Sequence, residues 1–277
     1  MPFPHRTVLI TGATAGIGRA LAERMVENGV FVIAVGRRRE RLQELEAKYG
    51  RDKVVAEEFD MTKTAEIQAW AQRITKQYPT LSSIILNAGI QRTLDFTNPS
   101  YDELSSKITS EVDTNTSPLL TITAFLPHLI SLGASSSAAA ASVILVTSGL
   151  ALVPIARCAN YCSTKSALHH FGLSLRSQMQ SSPATRHVRV IDILPPAVQT
   201  ELHELQPELV AVGQGQIGMP LKAFIDETWA ALDRWDENEN EIMVQEVKQR
   251  WGHIDNEKKA AFKQLDAMMR GTAGPKA

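Results

Sequence analysis

Cysteine is nearly missing from this chain. Its 277 residues include only Cys158 and Cys162, too few for a disulfide framework, which points to a reducing compartment and a cytoplasmic location. The two stand four apart with His169 beyond them, but no further cysteine completes a tetrahedral zinc set, so no metal is expected. Surplus charge is missing too. Against 29 Lys and Arg stand 30 Asp and Glu, a formal net charge of −1. No field of one sign argues for nucleic acid or an anionic membrane as partner, and a small, uncharged or weakly charged ligand is the simpler expectation. Long apolar runs are also scarce. The most apolar one, near residues 138–146, is too short to cross a bilayer, and the first ten residues do not read as a charged leader followed by an apolar segment.

What the chain does have is alternation. Short β-branched runs recur at T7-V-L-I-T11, V30-F-V-I-A-V35, V54-V-A-E-E-F59, S83-I-I-L-N87, S142-V-I-L-V-T147, V188-R-V-I-D-I-L194 and E241-I-M-V-Q245. Segments of helical periodicity lie between them, such as I17–N28, with Gly29 in the place of a helix C-cap. Several of the runs are apolar on successive residues, as parallel strands buried on both faces require. Strand and helix in alternation throughout predict an α/β fold, one Rossmann-type doubly wound parallel sheet in a single domain over residues 1–270. The stretch G133-A-S-S-S-A-A-A-A-S142 reads as a loose surface insertion. Residues 246–269 read as an additional C-terminal helix, and 271–277 as a disordered tail.

Directly after the first strand comes T11-G-A-T-A-G-I-G18, and then the first helix. Glycines at 12, 16 and 18 let the backbone turn sharply and approach a ligand, while a helix N-terminus offers free N–H groups to a pyrophosphate. Gly12, Thr14, Gly16, Ile17 and Gly18 are therefore candidate cofactor contacts, the alternative being a plain glycine-rich turn. The second strand ends in V35-G-R-R-R-E-R41, with no carboxylate before Glu40 to meet a ribose 2′-hydroxyl. Arginine suits a 2′-phosphate, so the expected cofactor is NADP(H), held by Arg37 and its neighbour Arg38, unless these are only the solvated start of a helix. Asp60, Asn87 and Gly89 follow the third and fourth strands, at the sheet edge where ligands bind. Asp60 suits either the adenine amine or the N-cap of the next helix.

Two tyrosines precede a lysine by four residues. Tyr49 and Lys53 straddle a turn marked by Gly50 and Asp52, where the spacing has no helical meaning. Tyr161 and Lys165 lie in a proline-free segment between Pro154 and Pro183, on a helix face continued by Leu168 and Leu175. A phenol of pKa about 10 shuttles protons poorly at neutral pH, and a nearby ammonium lowers that value. With Lys165 as the ammonium, Tyr161 is the candidate general acid for a carbonyl reduced by hydride. Ser148, at the end of the fifth strand, is the candidate second donor to the same oxygen.

At this point the chain resembles the short-chain dehydrogenase/reductase family. The resemblance rests on T11-G-A-T-A-G-I-G18, N87-A-G89, D113-T-N115, Ser148, Y161-x-x-x-K165 and the run Pro195-Pro196-Ala197-Val198-Gln199-Thr200, in the family's order. It implies that Ser148 positions the substrate carbonyl, that Tyr161 exchanges the proton, and that Lys165 lowers the tyrosine pKa while binding the nicotinamide ribose. It implies further that Asn115 holds a water linking Lys165 to solvent, that Val198 and Thr200 contact the nicotinamide end, that residues 201–219 form a substrate lid, and that the chain pairs as a homodimer through the helices after strands four and five. The chain departs from the family at Pro196, where glycine is usual, and at Ala15, where NADP users often carry a basic residue. Leu202, Leu205, Leu209, Val210, Val212 and Met219 of the lid, with Leu150, Leu152 and Val153, predict a mostly apolar pocket for a lipophilic ketone or alcohol. Arg157 and Gln91 either anchor a polar substituent or serve the surface, and His169 and His170 read as ordinary helix residues. The expected activity is an NADP(H)-dependent oxidoreductase interconverting a ketone or aldehyde and an alcohol. The alternatives are a non-redox isomerase, dehydratase or cyclase on the same scaffold, and a cofactor-binding regulatory protein without turnover, against which the intact Ser148, Tyr161 and Lys165 argue.

Overall fold

The computed structural model describes residues 3–135 and 140–272. Seven parallel strands form one sheet: β1 (Thr7–Thr11), β2 (Phe31–Gly36), β3 (Val54–Glu58), β4 (Ser83–Leu86), β5 (Ala141–Val146), β6 (Val188–Ile193) and β7 (Glu241–Ile242). Their order is β3-β2-β1-β4-β5-β6-β7, so the chain reverses its direction of travel between β1 and β4 and leaves a crevice at the strand ends there. The helices are α1 (Gly16–Glu27), α2 (Arg39–Tyr49), α3 (Ile67–Gln77), α4 (Tyr101–Ser135), α5 (Ala159–Gln180), α6 (Glu201–Glu204), α7 (Pro207–Ala211), α8 (Leu221–Arg234) and α9 (Gln245–Thr272).

All five residues of β1 and all six of β5 are buried, because helices cover both faces of the sheet. The two-residue side-chain period of a strand divides the core between those faces. Val8 and Ile10 of β1 pack with Leu21, Met25, Phe224 and Trp229 on one side, while Leu9 packs with Trp70, Phe125 and Leu129 on the other. Each fully buried side chain of this size contributes about 1.5–3 kcal/mol.

Helix α4 is long and apolar enough, by length and composition, to cross a membrane, a feature that a search for unbroken apolar runs misses. Its Ile122, Phe125 and Leu129 are fully buried in the core. Of the expected insertion at 133–142, residues up to 135 continue α4, and 141 and 142 open β5. The remainder, 136–139, lies outside the described residues, as does the tail from 273. The additional helix runs from Gln245 to Thr272, longer than predicted, and lies along α5.

Candidate active site

The glycine loop owes its shape first to a neighbouring strand. Gly12 (φ +70°) and Gly16 (φ +53°) take left-handed backbone angles that favour glycine. A Cβ at Gly12 would stand 2.8 Å from Asn87 Nδ2, and one at Gly18 closer still. The space these glycines keep clear is thus filled by Asn87, whose amide donates to Thr11 O at 3.1 Å. Thr11 Oγ1 in turn accepts the backbone N–H groups of Asn87 and Ala88 at 3.0 and 3.1 Å. Asn87 therefore locks the end of β1 to the end of β4, and a Cβ at Gly16 would meet Thr200 at 3.3 Å. Helix α1 then starts at Gly16 with no side-chain cap and no acidic residue in its first turn. Its first N–H groups and positive dipole end are left for an anion.

The basic residues after β2 divide their work. Arg38 donates from Nε and Nη2 to Thr14 Oγ1 at 3.1 and 2.9 Å, and pairs with Glu201 at 2.7 Å. Glu201, which Arg41 also holds, was not evident in the sequence, where it lies far from both arginines. Arg37 is 59% exposed, its nearest Asp60 oxygen 3.8 Å away, and is the freer of the two to meet a phosphate. Asp60 does not cap a helix. Its Oδ1 accepts from Thr62 N and Oγ1 at 3.0 and 2.9 Å, closing a turn, while Lys63 precedes the short 3-10 helix that follows.

Ser148, Tyr161 and Lys165 come together as expected. Ser148 follows β5 and accepts Leu150 N at 3.1 Å, while Tyr161 and Lys165, 6% and 4% exposed, lie on the inner face of α5. Burial drives the Tyr161 pKa above its ordinary value, and a hydrogen bond with Ser148 works against that rise. Burial brings Lys165 down to about 8, partly offset by the Asp192 carboxylate. The expected depression of the phenol by Lys165 is not found: Lys165 Nζ donates to Val146 O at 2.8 Å and lies 5.7 Å from the Tyr161 ring centre. Ser148 is the group that steadies the phenolate, and burial keeps Tyr161 protonated, the state a proton donor needs.

Asn115 sits in α4 three residues before Pro118. Proline cannot donate to the carbonyl one turn back, and Ser117 Oγ supplies that bond to Thr114 O at 2.8 Å. Fully buried Asn115 donates to Ile90 O (2.9 Å) and Thr164 Oγ1 (3.1 Å) and accepts Ile90 N (2.9 Å), clamping the loop after β4 to α5. Both amide hydrogens are spent, which leaves only the second lone pair of Oδ1 for the water implied by the resemblance. A Cβ at Gly89 would stand 3.3 Å from both Asn115 Oδ1 and Lys165 Nζ, so loop, clamp and lysine meet at one point.

One cavity of about 680 Å³ joins these parts, from Gly12, Thr14, Gly16 and Ile17 past Arg37 and Asp60 to Asn87, Gly89, Ser148, Tyr161, Lys165, Val198 and Thr200. Gly18 stays behind it, buried against Asn87. The region expected as a lid forms α6, α7 and a turn whose Met219 bridges to Val198. Leu202 and Leu205 line the cavity, but Leu209 packs inward, and Val210 and Val212 are 52% and 66% exposed. The sequence reading missed the wall supplied by α9, namely Glu246, Arg250 and Trp251. Trp251 lies so close on Gly149 that a Cβ there would come within 2.8 Å of the ring. No local motif marks this contact, because it joins segments a hundred residues apart.

His169 is no ordinary helix residue. One turn beyond Lys165, it holds Asp192 Oδ2 at 2.7 Å through Nδ1 and stands 3.2 Å from Asp255 Oδ1 of α9. Burial opposes the charged ring, but the two carboxylates outweigh it and raise the His169 pKa to about 9. Thr147 Oγ1 donates to Asp192 (2.7 Å) and Lys259 pairs with Asp255 (2.8 Å). Cys158 and Cys162 are both free, their sulfurs 3.8 Å apart, and no metal-binding cluster occurs among the described residues.

Comparison with known proteins gives the family. The sequence model of the family described as short chain dehydrogenase matches residues 6–209. The chain is 36% identical over 205 residues to the uncharacterized oxidoreductase DltE of Bacillus subtilis (strain 168), covering 74% of this chain and 76% of that one. It is 33% identical over 189 residues to the NADP-dependent 3-hydroxy acid dehydrogenase YdfG of Salmonella typhi, covering 68% and 71%. In fold it is similar to a short-chain dehydrogenase from Sphingobium yanoikuyae in complex with NADPH, with a TM-score of 0.73 and 24% identity over 93% of this chain and 95% of that one. The chain belongs to the short-chain dehydrogenase family.

Proposed function

We propose that the protein is an NADP(H)-dependent oxidoreductase that interconverts a ketone or aldehyde and an alcohol on a small, largely apolar molecule. The observation that carries this is the buried Tyr161, in the same cavity as Ser148, an uncapped helix N-terminus and the exposed guanidinium of Arg37. A relative named as NADP-dependent supports the choice of cofactor.

The residues present fit such a cofactor. The backbone of Gly12–Gly16 and the start of α1 would hold the pyrophosphate, Arg37 the 2′-phosphate, Asp60 the adenine, and Lys165, Val198 and Thr200 the nicotinamide end. The reduced nicotinamide supplies a hydride to the carbonyl carbon. Ser148 and Tyr161 both donate to the carbonyl oxygen, and Tyr161 transfers its proton there as negative charge develops. Ser148 steadies the phenolate left behind until solvent reprotonates it, and the Lys165 ammonium, protonated below about pH 8, would hold the ribose hydroxyls at the nicotinamide end. Leu150, Ile155, Leu202 and Leu205 present the apolar wall for the rest of the substrate.

The test is NADPH absorbance followed with a panel of ketones, with product analysis alongside. Net consumption with alcohol formed is the expected result. Product without consumption would make it an isomerase or dehydratase, and binding without turnover a regulatory protein. NADH used as well as NADPH would overturn the role of Arg37. We place the enzyme in the cytosol as a homodimer, a reading supported by the unbridged cysteines and by α9 packing along α5 (Asp255 at His169, Asp266 at Ser177), where it would obstruct further assembly. Light scattering that reports a tetramer refutes the dimer.

A further inference from the structure

Five arginines line the cavity, and three of them have a carboxylate within reach: Arg37 with Asp60 (3.8 Å), Arg38 with Glu201 (2.7 Å) and Arg250 with Glu246 (3.7 Å). Arg157 and Arg92 have no such ion pair among the described residues. Arg157 is held in place by neutral groups, donating to Gln206 Oε1 at 2.9 Å and Gln91 Oε1 at 3.4 Å. These glutamines are each 2% exposed and bonded to one another, Gln206 Nε2 to Gln91 Oε1, at 3.0 Å. Arg92 adds Nη1 to Gln91 O at 3.1 Å, while Glu111 takes the Arg92 backbone N–H and the Asn160 amide instead of either guanidinium. Beside them His203, 5% exposed, lines the same cavity with a buried Nδ1 that has no hydrogen-bond partner among the described residues.

A guanidinium has five donors, and the glutamines take two of those on Arg157. A half-buried cation with donors to spare, on a rigid uncharged mount, is a receptor for a carboxylate. Arg157 lies four residues before Tyr161, in the short 3-10 turn Ala156–Cys158 that leads into α5, and the apolar wall of Leu150, Ile155 and Leu202 shares the cavity with both. We infer that the substrate is a carbonyl acid, or the corresponding hydroxy acid, whose carboxylate is bound by Arg157 with Arg92 while its carbonyl lies at Ser148 and Tyr161. This deepens the proposed function and rests on it for the reaction. The carboxylate does not react: hydride goes to the carbonyl carbon and the Tyr161 proton to its oxygen.

The test uses matched pairs. Benzoylpropionate and its methyl ester are compared as ketones with NADPH, and the unreactive phenylbutyrate and phenylbutyramide as ligands, by calorimetry and thermal shift in the presence of NADP⁺. The acid should exceed the ester in kcat/KM by about ten- to a hundredfold, the range of a charge-assisted contact, and phenylbutyrate should bind where the amide does not. Arg157→Met should collapse the acid-over-ester ratio, with the change in KM, and Arg157→Lys should restore part of it. Equal use of acid and ester by the wild type, or an unchanged ratio in Arg157→Met, overturns the inference. The wild-type binding pair stands even if a variant does not fold. Arg157-dependent binding of phenylbutyrate without turnover of any ketone would sink the proposed reaction and keep the anchor; turnover of neutral ketones with no phenylbutyrate binding would do the reverse.

Discussion

The molecule contains the same tyrosine–lysine spacing twice, in opposite surroundings. Tyr49 ends α2, its hydroxyl donating to Glu27 at 2.8 Å and its ring lying 4.7 Å from Lys48 Nζ, while Lys53 lies in the exposed turn past Gly50. Tyr161 and Lys165 share the inner face of α5, nearly free of water, with Ser148 against the phenol and Val146 O on the ammonium. Spacing is the same, yet only the second pair has a surface on which a substrate can lie. Solvent exposure distinguishes a proton donor from a capped helix end, because a hydrogen bond or charge is worth several times more in a desolvated site than in water.

Tyr161→Phe should break the comparison most severely. It removes the proton and keeps the ring, so reduction should fall by about 10²–10⁴-fold, the usual worth of a positioned general acid, with NADPH binding nearly unchanged in a fluorescence titration. In the wild type the reductive rate should decline as pH rises through about 8, where Lys165 loses its proton. A flat profile from pH 7 to 9 would remove Lys165 from that role.

The next effect lies one turn along α5. Asp255→Asn leaves the buried His169–Asp192 pair without its partner on α9. Breaking a buried charge set from one side costs about 3–5 kcal/mol, and the lower end applies because Lys259 reaches solvent. Urea unfolding measures it. The sign with pH is fixed by His169, whose folded pKa of about 9 lies above its ordinary 6.5. Its contribution is complete below pH 6.5 and lost as pH rises through 9, so the gap between wild type and variant should shrink along that range. Facing His169 are Asp192 from β6 and Asp255 with Lys259 from α9, while Glu241 of β7 pairs with Lys259.

The two pairs also mark where the sequence is legible. Strands such as T7-V-L-I-T11 and the glycine loop declare themselves because periodicity and turn chemistry are local, and Tyr161, Lys165 and Ser148 because a helix face and a strand end place them. The reason for Gly18, which makes room for Asn87, was not legible, nor was Trp251 against Gly149 or the Asp255 partner of His169. Each depends on a contact between distant segments that no short motif encodes. The depressed tyrosine pKa was misjudged for a related reason. Spacing predicts that a lysine is near, but burial and the Val146 carbonyl decide what that lysine does.

The smallest expected effect is the sharpest control. Tyr49→Phe removes one exposed hydroxyl and its bond to Glu27, and a surface change of this kind is worth within about 0.5 kcal/mol. The ring, its contact with Lys48 and its packing against the core beside α1 all remain. Turnover, NADPH affinity and the urea midpoint should therefore be those of the wild type within error. Loss of activity in this variant, measured beside Tyr161→Phe in the same assay, would mean that the spacing rather than its surroundings carries the chemistry, and that the partition drawn between the two helices is wrong.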